Sequence, residues 1–493
     1  MRLHRSISAL AVVVCSGLWA VAPAQAARPG IYEVWGNRSD VAHLRYVRGG
    51  QIALEWKTVE PTRGHFDWSG LRAQLNAYHA MHKPATVQIN STTSKPAWLW
   101  NLIARCGTTQ GQQIPQYWDP LYLKLQHELL SSFAKALKSY SHRGTIALVR
   151  SAPNAIGTEL TTVPAGASCT RATDGHSVAQ AWSRSVRATY FRNIMGMYRS
   201  LLAPAIHVAL RTEVFTTYGA PLSWLGRRDA WIMDTASDID PNPTRDTVDV
   251  FARHWDRAGR TRAYWEPFSY AGKQNLASWN YWRILLELDK GVSYIAVYGQ
   301  VIRHGGDPQY GAAFRFANRY AGRQLHPGRS PGAFIALRQG TGRMAGNLER
   351  FMKQIDAQRT SIALDSNNGR AMIGPATQRY GRFARRIVPG TAQKAMFFRL
   401  NGTFKHGVRG HAVRIRVTYL DEGGGAFVVK WGRAGRCQHT VHKHGTGRWR
   451  TVTIKVRRAG FHNRLSHRSD ITLKALGGSG TDFHMVEVRV HRR

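Results

Sequence analysis

Carboxylates are scarce in this chain, and one of them, Glu266, stands in an unusual setting. It follows Ala263, Tyr264 and Trp265, which are typical of a short buried strand, and it precedes Pro267, which cannot continue a strand ladder. A carboxylate between aromatic residues at a strand end is costly to desolvate unless a function uses it. The alternative is a structural carboxylate that caps the strand or pairs with one of the many arginines.

Other carboxylates also follow apolar runs that are typical of strands. In a barrel of alternating strands and helices, working residues gather at the carboxyl ends of the strands. A pair of carboxylates at such an end can supply acid, base and nucleophile for the cleavage of a glycosidic bond. The further carboxylates in such positions are Glu55 and Glu60 around the end of the run 51–56, Glu159 after 145–150, Glu213 after 206–210 and Asp234 after 230–233.

Aromatic and amide side chains cluster at the same strand ends. Aromatic faces suit the C–H faces of sugar rings, although a single Trp is more often a core or rim residue. The residues that we predict to contact a substrate are Trp56, Asn90, Trp98, Asn154, Glu213, Trp265 and Tyr298, with Arg211 as a plausible neighbour.

Eight strand-like runs alternate with helix-like segments between residues 30 and 300, and this order predicts a (β/α)8 TIM barrel. An open, doubly wound sheet is the alternative. No Gly-rich phosphate fingerprint follows any of the runs, which argues against nucleotide-binding versions of that sheet. The runs are 30–36, 51–56, 85–90, 145–150, 206–210, 230–233, the start of 261–270, and 292–298.

The pattern changes after about residue 329. Runs such as 412–419 and 449–456 alternate apolar and polar residues between Gly-rich turns, which indicates antiparallel strands. We therefore predict an all-β, jelly-roll-like sandwich over 330–493, without a clear helix, after a barrel domain over 27–329.

The charge is extreme: 69 Lys and Arg against 29 Asp and Glu give the 493 residues a net charge of +40. A basic surface attracts nucleic acid, an anionic polysaccharide or an anionic cell surface, or reflects an acidic habitat. The charge is spread along the chain and no nucleic-acid-binding motif is present, so we do not expect a nucleic-acid partner.

The N-terminus predicts export. Arg2, His4 and Arg5 precede an apolar run over 7–21, and the small residues around Gln25 predict cleavage after Ala26. Residues 1–26 are thus read as a signal peptide rather than as a membrane anchor, because the apolar run is short. No later segment is apolar enough to span a membrane, so we expect a secreted or periplasmic protein.

Export permits disulfides. Cys15 leaves with the signal peptide, and three cysteines remain. We predict a bridge between Cys106 and Cys169, which both lie in long polar segments after strands, and a free Cys437. Their spacing suits no metal ion, and no cofactor is predicted.

The segment 56–68, WKTVEPTRGHFDW, followed by Pro96-Ala97-Trp98, resembles the second and third strand regions of clan A glycoside hydrolases, and the family 42 β-galactosidase type most closely. The resemblance implies a (β/α)8 barrel that cleaves glycosidic bonds with retention. It also implies an acid/base Glu after the fourth strand, here Glu159, and a nucleophilic Glu after the seventh, here Glu266. In the family an Asn precedes the acid/base Glu, whereas this chain has Thr158 there.

The sequence thus predicts a secreted, retaining glycoside hydrolase that acts on a poly- or oligosaccharide. A non-catalytic glycan-binding protein of the envelope or exopolysaccharide matrix is the alternative, and Glu213 is the reserve for the second carboxylate. Segments 417–421, 449–453 and 470–473 resemble β-sandwich modules of secreted carbohydrate-active proteins, which would either bind glycan or brace the barrel.

Overall fold

The computed structural model describes residues 28–491 except 92–93, 109–110, 154, 157–159, 162–163, 172–176, 180–181, 227–229, 235–262, 266–275, 304–307, 325, 338–346, 356–361, 365–383, 388, 391–393, 433–436 and 479. Its first part mixes strands with helices. In chain order the elements are β1 Gly30–Val34, α1 Arg38–His43, β2 Gly50–Glu55, α2 Trp56–Val59, α3 Ser69–Ala80, β3 Ala85–Asn90, β4 Arg105–Thr108, β5 Gln113–Pro115, α4 Pro120–Lys138, β6 Ile146–Arg150, β7 Ala155–Ile156, β8 Leu160–Thr161, β9 Pro164–Thr170, β10 Ser177–Ala179, α5 Arg184–Leu202, β11 Val208–Arg211, α6 Thr212–Thr216, β12 Ala230–Asp234, β13 Ala263–Trp265, α7 Leu276–Lys290, β14 Tyr294–Tyr298, α8 Gly299–Ile302 and α9 Pro308–Tyr320.

Eight of these strands form one parallel sheet in the order β1-β14-β13-β12-β11-β6-β3-β2. They are the eight runs predicted from the sequence, and the prediction of these strands is confirmed. The order follows the chain without a reversal. At the two ends of the order, β1 and the residue before β2 meet in a parallel bridge between Tyr32 and Gly49, and the Glu33 amide donates to the Gly49 carbonyl at 2.9 Å.

The two faces of the sheet carry different cores. One face packs against the helices, and its cluster holds residues such as Ile31, Val87 and Val149. The other face carries a separate cluster that includes Tyr32, Trp231 and Tyr294. Trp231 and Tyr294 are at most 1% exposed. Both faces of the sheet therefore carry side chains that are buried from water.

Local signals explain the long helices. In α4, the Asp119 side chain accepts the Leu121 amide at 2.7 Å, and Pro120 occupies the first helical turn, where its missing N–H costs nothing. The buried face of α4 includes Leu125, Leu129 and Phe133, as its periodicity predicts. Burial of each such side chain contributes about 1.5–3 kcal/mol.

A small antiparallel sheet, in the order β10-β9-β4-β5, stands apart from the parallel one. Its strands come from the segments that follow β3 and β6. Cys106 of β4 lies opposite Cys169 of β9, and the two sulfurs are joined in a disulfide. This is the pair favoured by the sequence, and Cys437 is free and exposed. The disulfide links the segments that follow β3 and β6, which are neighbouring strands of the parallel sheet.

The second part consists mainly of antiparallel strands, and the first of them begins at Gly332. The elements are β15 Gly332–Ala336, β16 Leu348–Arg350, β17 Met352–Gln354, β18 Ile362–Leu364, β19 Ala384–Ile387, β20 Ala395–Leu400, α10 Gly402–Val408, β21 Ala412–Asp421, β22 Gly425–Trp431, β23 Cys437–His442, β24 Arg448–Val456, β25 Ile471–Gly478 and β26 Thr481–His491. Strands β15, β16, β18, β19, β21, β24 and β26 form one sheet, and β17, β20, β22, β23 and β25 form another. Side chains from both sheets meet in one core, among them Ile415 and Phe427, which is consistent with a β-sandwich.

The expectation of no helix in this part is wrong, because α10 is present. The Asn401 side chain caps α10 by accepting the Phe404 amide at 3.1 Å, and Phe404 and Val408 bury one side of it. The helix is too short for its periodicity to stand out in the sequence.

The two parts pack against each other through aromatic and polar contacts. Phe334 of β15 lies edge-on to Phe316 and Tyr320 of α9. The Tyr320 hydroxyl donates to Glu487 of β26 at 2.7 Å. The Tyr281 hydroxyl of α7 and the His484 Nε2 atom lie 2.7 Å apart.

Candidate functional site

The carboxyl ends of the parallel strands meet at one edge of the sheet, as the register shows. Val34 lies opposite Tyr298, Glu55 opposite Asn90, and Asp234 opposite Trp265. Tyr298 is half-buried and precedes α8. Polar and aromatic residues thus end neighbouring strands, as predicted, and together they form what we call the carboxyl edge.

A ladder of amide side chains crosses β2 and β3 and reaches the residue that follows β1. Gln51 Nε2 donates to Gln88 Oε1 at 3.2 Å, and Gln88 Nε2 donates to Asn90 Oδ1 at 2.6 Å. Gln51 Oε1 accepts the Trp35 amide at 3.0 Å. Because Asn90 Oδ1 is engaged, its Nδ2 group is the part that can donate to a ligand hydroxyl.

Trp35 stands directly after β1 and is 43% exposed, the most exposed Trp among the described residues. Its backbone has a φ of 52°, a left-handed conformation that is uncommon for a bulky residue. The ladder supports this conformation through the Gln51 contact to the Trp35 amide. Trp35 therefore offers an aromatic surface at the edge, and neither this residue nor the two glutamines were singled out as substrate contacts from the sequence.

Glu213 forms a two-point pair with Arg211, the last residue of β11. Arg211 Nη2 donates to Glu213 Oε1 at 2.5 Å, and Nε donates to Oε2 at 3.2 Å. Burial works to raise the pKa of Glu213, but the Arg211 guanidinium outweighs it and holds that pKa below its ordinary value. Glu213 is therefore suited to a charged, positioning role and poorly suited to donate a proton.

Trp56 and Trp98, both predicted to contact substrate, pack against each other edge-on at 6.4 Å. Trp56 is fully buried, and its Nε1 donates to Glu60 Oε2 at 2.7 Å. The half-buried Trp98 donates to the Glu60 carbonyl at 3.1 Å, and Glu60 Oε1 accepts the Gly64 amide at 2.9 Å. The WKTVEP segment thus organises a turn around Glu60. Sugar contact by these two Trp residues stays a prediction, and the burial of Trp56 does not favour it.

Glu33 of β1 is a buried carboxyl that the sequence analysis did not single out. Burial and the nearby Asp40 raise its pKa to about 7, although the Asn37 amide and Arg303 work against them. Its Oε1 atom has no hydrogen-bond partner among the described residues. Gly36 and Gly299 make room for it, because a Cβ atom on either would lie 1.8 or 2.8 Å from Oε1. In the sequence, the only indication of this buried carboxyl is a single acidic residue within an apolar strand.

Two buried basic residues, Arg150 and Lys95, lie at or after the ends of the neighbouring strands β6 and β3. Arg150 ends β6 and is fully buried, and Lys95 is 4% exposed, with its Nζ donating to the Ser91 carbonyl. Burial lowers the pKa of Lys95 well below its ordinary value. Arg150 therefore supplies the fixed positive charge, which favours an anionic group at this end of the sheet.

Three of the predicted site residues, Glu159, Glu266 and Asn154, lie outside the described residues. Trp265 is described in its backbone, where it ends β13, the seventh of the parallel strands in chain order. Their roles in catalysis and binding stay predictions. Within the described part of the chain, no group of three or more His, Cys, Asp or Glu side chains is arranged to hold a metal ion. None of the helices in that part is both long and apolar enough to cross a bilayer.

The fold and the site together define a mixed α/β protein whose eight-stranded parallel sheet presents a polar, aromatic-flanked carboxyl edge, followed by antiparallel sheets. No protein-family profile and no curated protein matches the chain.

Three solved structures that resemble this chain are carbohydrate-active by name. The catalytic domain of a β-amylase from Paenibacillus polymyxa is 13% identical over 61% of this chain and 100% of its own length, with a TM-score of 0.41. A β-galactosidase from the psychrophilic Marinomonas ef1 is 11% identical over 55% of this chain and 53% of its own, with a TM-score of 0.34. A GH5_18 protein from Streptomyces cattleya in complex with GlcNAc is 13% identical over 55% and 70%, also with a TM-score of 0.34. TM-scores below 0.5 do not establish a shared fold, so these resemblances carry no weight for the function.

Proposed function

We propose that this chain is an exported glycoside hydrolase that cleaves a poly- or oligosaccharide with retention at the anomeric carbon. The observation that carries the proposal is the carboxyl edge itself. An exposed Trp35 stands beside the Gln51–Gln88–Asn90 ladder, so that an aromatic surface and amide donors adjoin at one end of a parallel sheet. Sugar rings are bound by this combination of stacking surface and hydrogen-bonding groups.

The scaffold that we propose is a closed (β/α)8 barrel. The strand order has no reversal, and right-handed crossovers then place all connecting helices on one face of the sheet. The opposite face would meet water in an open sheet, yet Trp231 and Tyr294 on that face are buried. The Tyr32–Gly49 bridge joins the two ends of the strand order. Closure accounts for all three observations.

The proposed mechanism is double displacement. Glu266 directly follows Trp265, the last residue of β13, and is the proposed nucleophile. Its carboxylate attacks the anomeric carbon, a glycosyl–enzyme bond forms, and the bond to the leaving oxygen breaks as Glu159 protonates that oxygen. Glu159 then removes a proton from the water that hydrolyses the intermediate. Retention requires the two carboxyl groups to lie about 5–5.5 Å apart.

The described residues have supporting roles in this proposal. Asn90 donates from Nδ2 to a sugar hydroxyl, and the ladder beneath it fixes that orientation. Arg150 and the Arg211–Glu213 pair set the local charge.

The test is hydrolysis by the Glu266→Gln variant. A panel of neutral and uronate-containing polysaccharides identifies a substrate for the wild type by release of reducing ends. We expect Glu266→Gln to lower kcat by at least about a thousandfold, since a glutamine cannot form the glycosyl ester. The matched control is Glu128→Gln, which makes the same change at an exposed position of α4. Full activity of Glu266→Gln contradicts the mechanism.

Two further measurements separate the roles of the carboxylates. Glu159→Gln should lose most activity on substrates with poor leaving groups but retain cleavage of aryl glycosides, whose leaving group departs without protonation. NMR of the first-formed product should show the anomer of the substrate, and the opposite anomer refutes retention. Binding of the wild type to a glycan that it cannot cleave would instead support a non-catalytic glycan-binding protein.

A further inference from the structure

The two C-terminal sheets leave an open groove between two of their edge strands, β23 and β24. In the part of the chain that the structure describes, β23 pairs only with β22, and β24 pairs only with β21. The groove has a volume of about 590 Å³. Ligand sites in proteins commonly measure roughly 300–1,000 Å³. This groove is therefore large enough to hold part of a chain-like ligand, and it is open along its length.

The floor of the groove is apolar. Tyr419, Val441 and Val452 line it, and they continue the core between the two sheets. Tyr419 and Val441 are 4% and 7% exposed, and Val452 is half-buried. Val452 is the part of this floor that a ligand reaches most readily, and the C–H face of a pyranose ring gains from contact with such apolar atoms.

The rim of the groove is basic. His439, His442, His444 and Arg450 line it and are exposed. The Arg450 side chain is 49% exposed, and its Nη1 atom lies 3.5 Å from Asp421 Oδ2. The described residues that line the groove include no acidic side chain. The rim is therefore complementary to a ligand that carries negative charge.

Asp421 stabilises the turn at one end of the groove. Its side chain is fully buried, and its carboxylate accepts the His444 amide at 2.7 Å and the Thr446 hydroxyl at 2.7 Å. The Asp421 carbonyl accepts the Gly447 amide at 2.7 Å. These bonds fix the turn between β23 and β24, and a fixed turn lowers the entropy that a ligand must remove on binding.

We propose that this groove binds the acidic sugar units of an anionic polysaccharide, with a ring on the apolar floor and a carboxylate at the Arg450 and histidine rim. The site lies on the β-sandwich and does not depend on catalysis by the parallel-sheet part. Single-stranded nucleic acid is the less suitable occupant, because its bases stack on broad aromatic faces, whereas the floor that the described residues form consists of two valines and Tyr419, which is 4% exposed.

The experiment measures binding of polygalacturonate by titration calorimetry, with neutral dextran and single-stranded DNA as comparison ligands. The Glu266→Gln chain is used throughout, so that no ligand is consumed. We expect Arg450→Gln to weaken polygalacturonate binding about tenfold, as for the loss of a charge-assisted hydrogen bond. Since Arg450 also lies near Asp421, His439→Gln provides a second variant on the opposite strand, and we expect a loss of about threefold or more.

The matched control is Lys124→Gln, which removes one exposed charge from α4, far along the chain from the sandwich. With a charge of +40, the whole surface attracts polyanions, so only a difference between variants supports a site. The proposal is overturned if Lys124→Gln and Arg450→Gln weaken binding equally, or if dextran or single-stranded DNA binds as tightly as polygalacturonate. An unchanged affinity in both groove variants, with unchanged melting temperatures, overturns it as well.

Discussion

Glu487 provides the sharpest test of how the two parts of the chain are held together. It lies on β26, is 1% exposed, and accepts the Tyr320 hydroxyl of α9 at 2.7 Å. Arg416 Nη1 and Arg489 Nε lie 2.8 and 2.7 Å from its carboxylate, and Arg319 Nη1 lies at 3.7 Å. Replacement by glutamine keeps the shape but leaves three guanidinium groups around a neutral amide.

The expected cost follows from these distances. Loss of one partner from a buried ion pair costs about 3–5 kcal/mol. The three arginine side chains are 28%, 29% and 32% exposed, so water takes over part of the lost interaction. The amide oxygen also remains available to the Tyr320 hydroxyl. We therefore expect Glu487→Gln to lower the free energy of unfolding by about 2–3 kcal/mol.

Urea unfolding at pH 7 measures this loss, and Glu349→Gln is a matched control. Burial and Asp289 raise the pKa of Glu349 to about 8, so its carboxyl is largely protonated at pH 7, and an isosteric amide should cost little. Both residues lie on strands of the same sheet. If Glu487→Gln costs no more than Glu349→Gln, the electrostatic reasoning about this contact is refuted.

Two further predictions concern stability. Glu33→Gln should gain about 3 kcal/mol relative to wild type between pH 4 and pH 8, as measured by urea unfolding at both pH values. The folded pKa of Glu33 is raised from 4.5 to about 7, so wild-type stability falls as pH rises through that window; an equal difference at both pH values contradicts this. Removal of the bridge by Cys106→Ala with Cys169→Ala should cost about 4 kcal/mol by the chain-entropy account of a cross-link that spans 63 residues, and calorimetry with and without reductant measures it; a melting temperature that reduction does not change contradicts it.

The sequence was sufficient to predict the parallel strands, but it was insufficient to predict the side-chain contacts at the carboxyl edge. Strands such as Ile146–Arg150 and Tyr294–Tyr298 are nearly continuous apolar runs, as a strand buried on both faces requires. Gln51 and Gln88 were not predicted as a ladder, because their contact depends on the register of β2 against β3, which a single sequence does not contain. Trp is a residue type that commonly stacks on sugar rings, and only the packing of Trp56 against Tyr122 and Trp98 identifies it as a core residue.

The short elements were also hard to predict. Strands β4 and β5 have four and three residues, too few for a period of two to be visible. The pairing of Cys106 with Cys169 could still be inferred, because both cysteines lie in long polar segments that follow strands.

The burial of acidic side chains in the sandwich leaves exposed basic side chains without acidic neighbours to balance them. Four acids of the sandwich are buried and paired: Asp421 with Arg450, Asp470 with Lys405, Asp482 with Arg386, and Glu487 with Arg416. A carboxylate used inside the fold neutralises a basic residue there and leaves the exposed basic residues unbalanced. The rim of the β23–β24 groove shows this distribution, since Asp421 is buried and paired with Arg450, whereas His439, His442 and His444 are exposed. A polyanion would therefore meet the basic groups of this protein with little acidic surface to oppose them, and the groove adds the apolar floor that distinguishes a sugar chain from other polyanions.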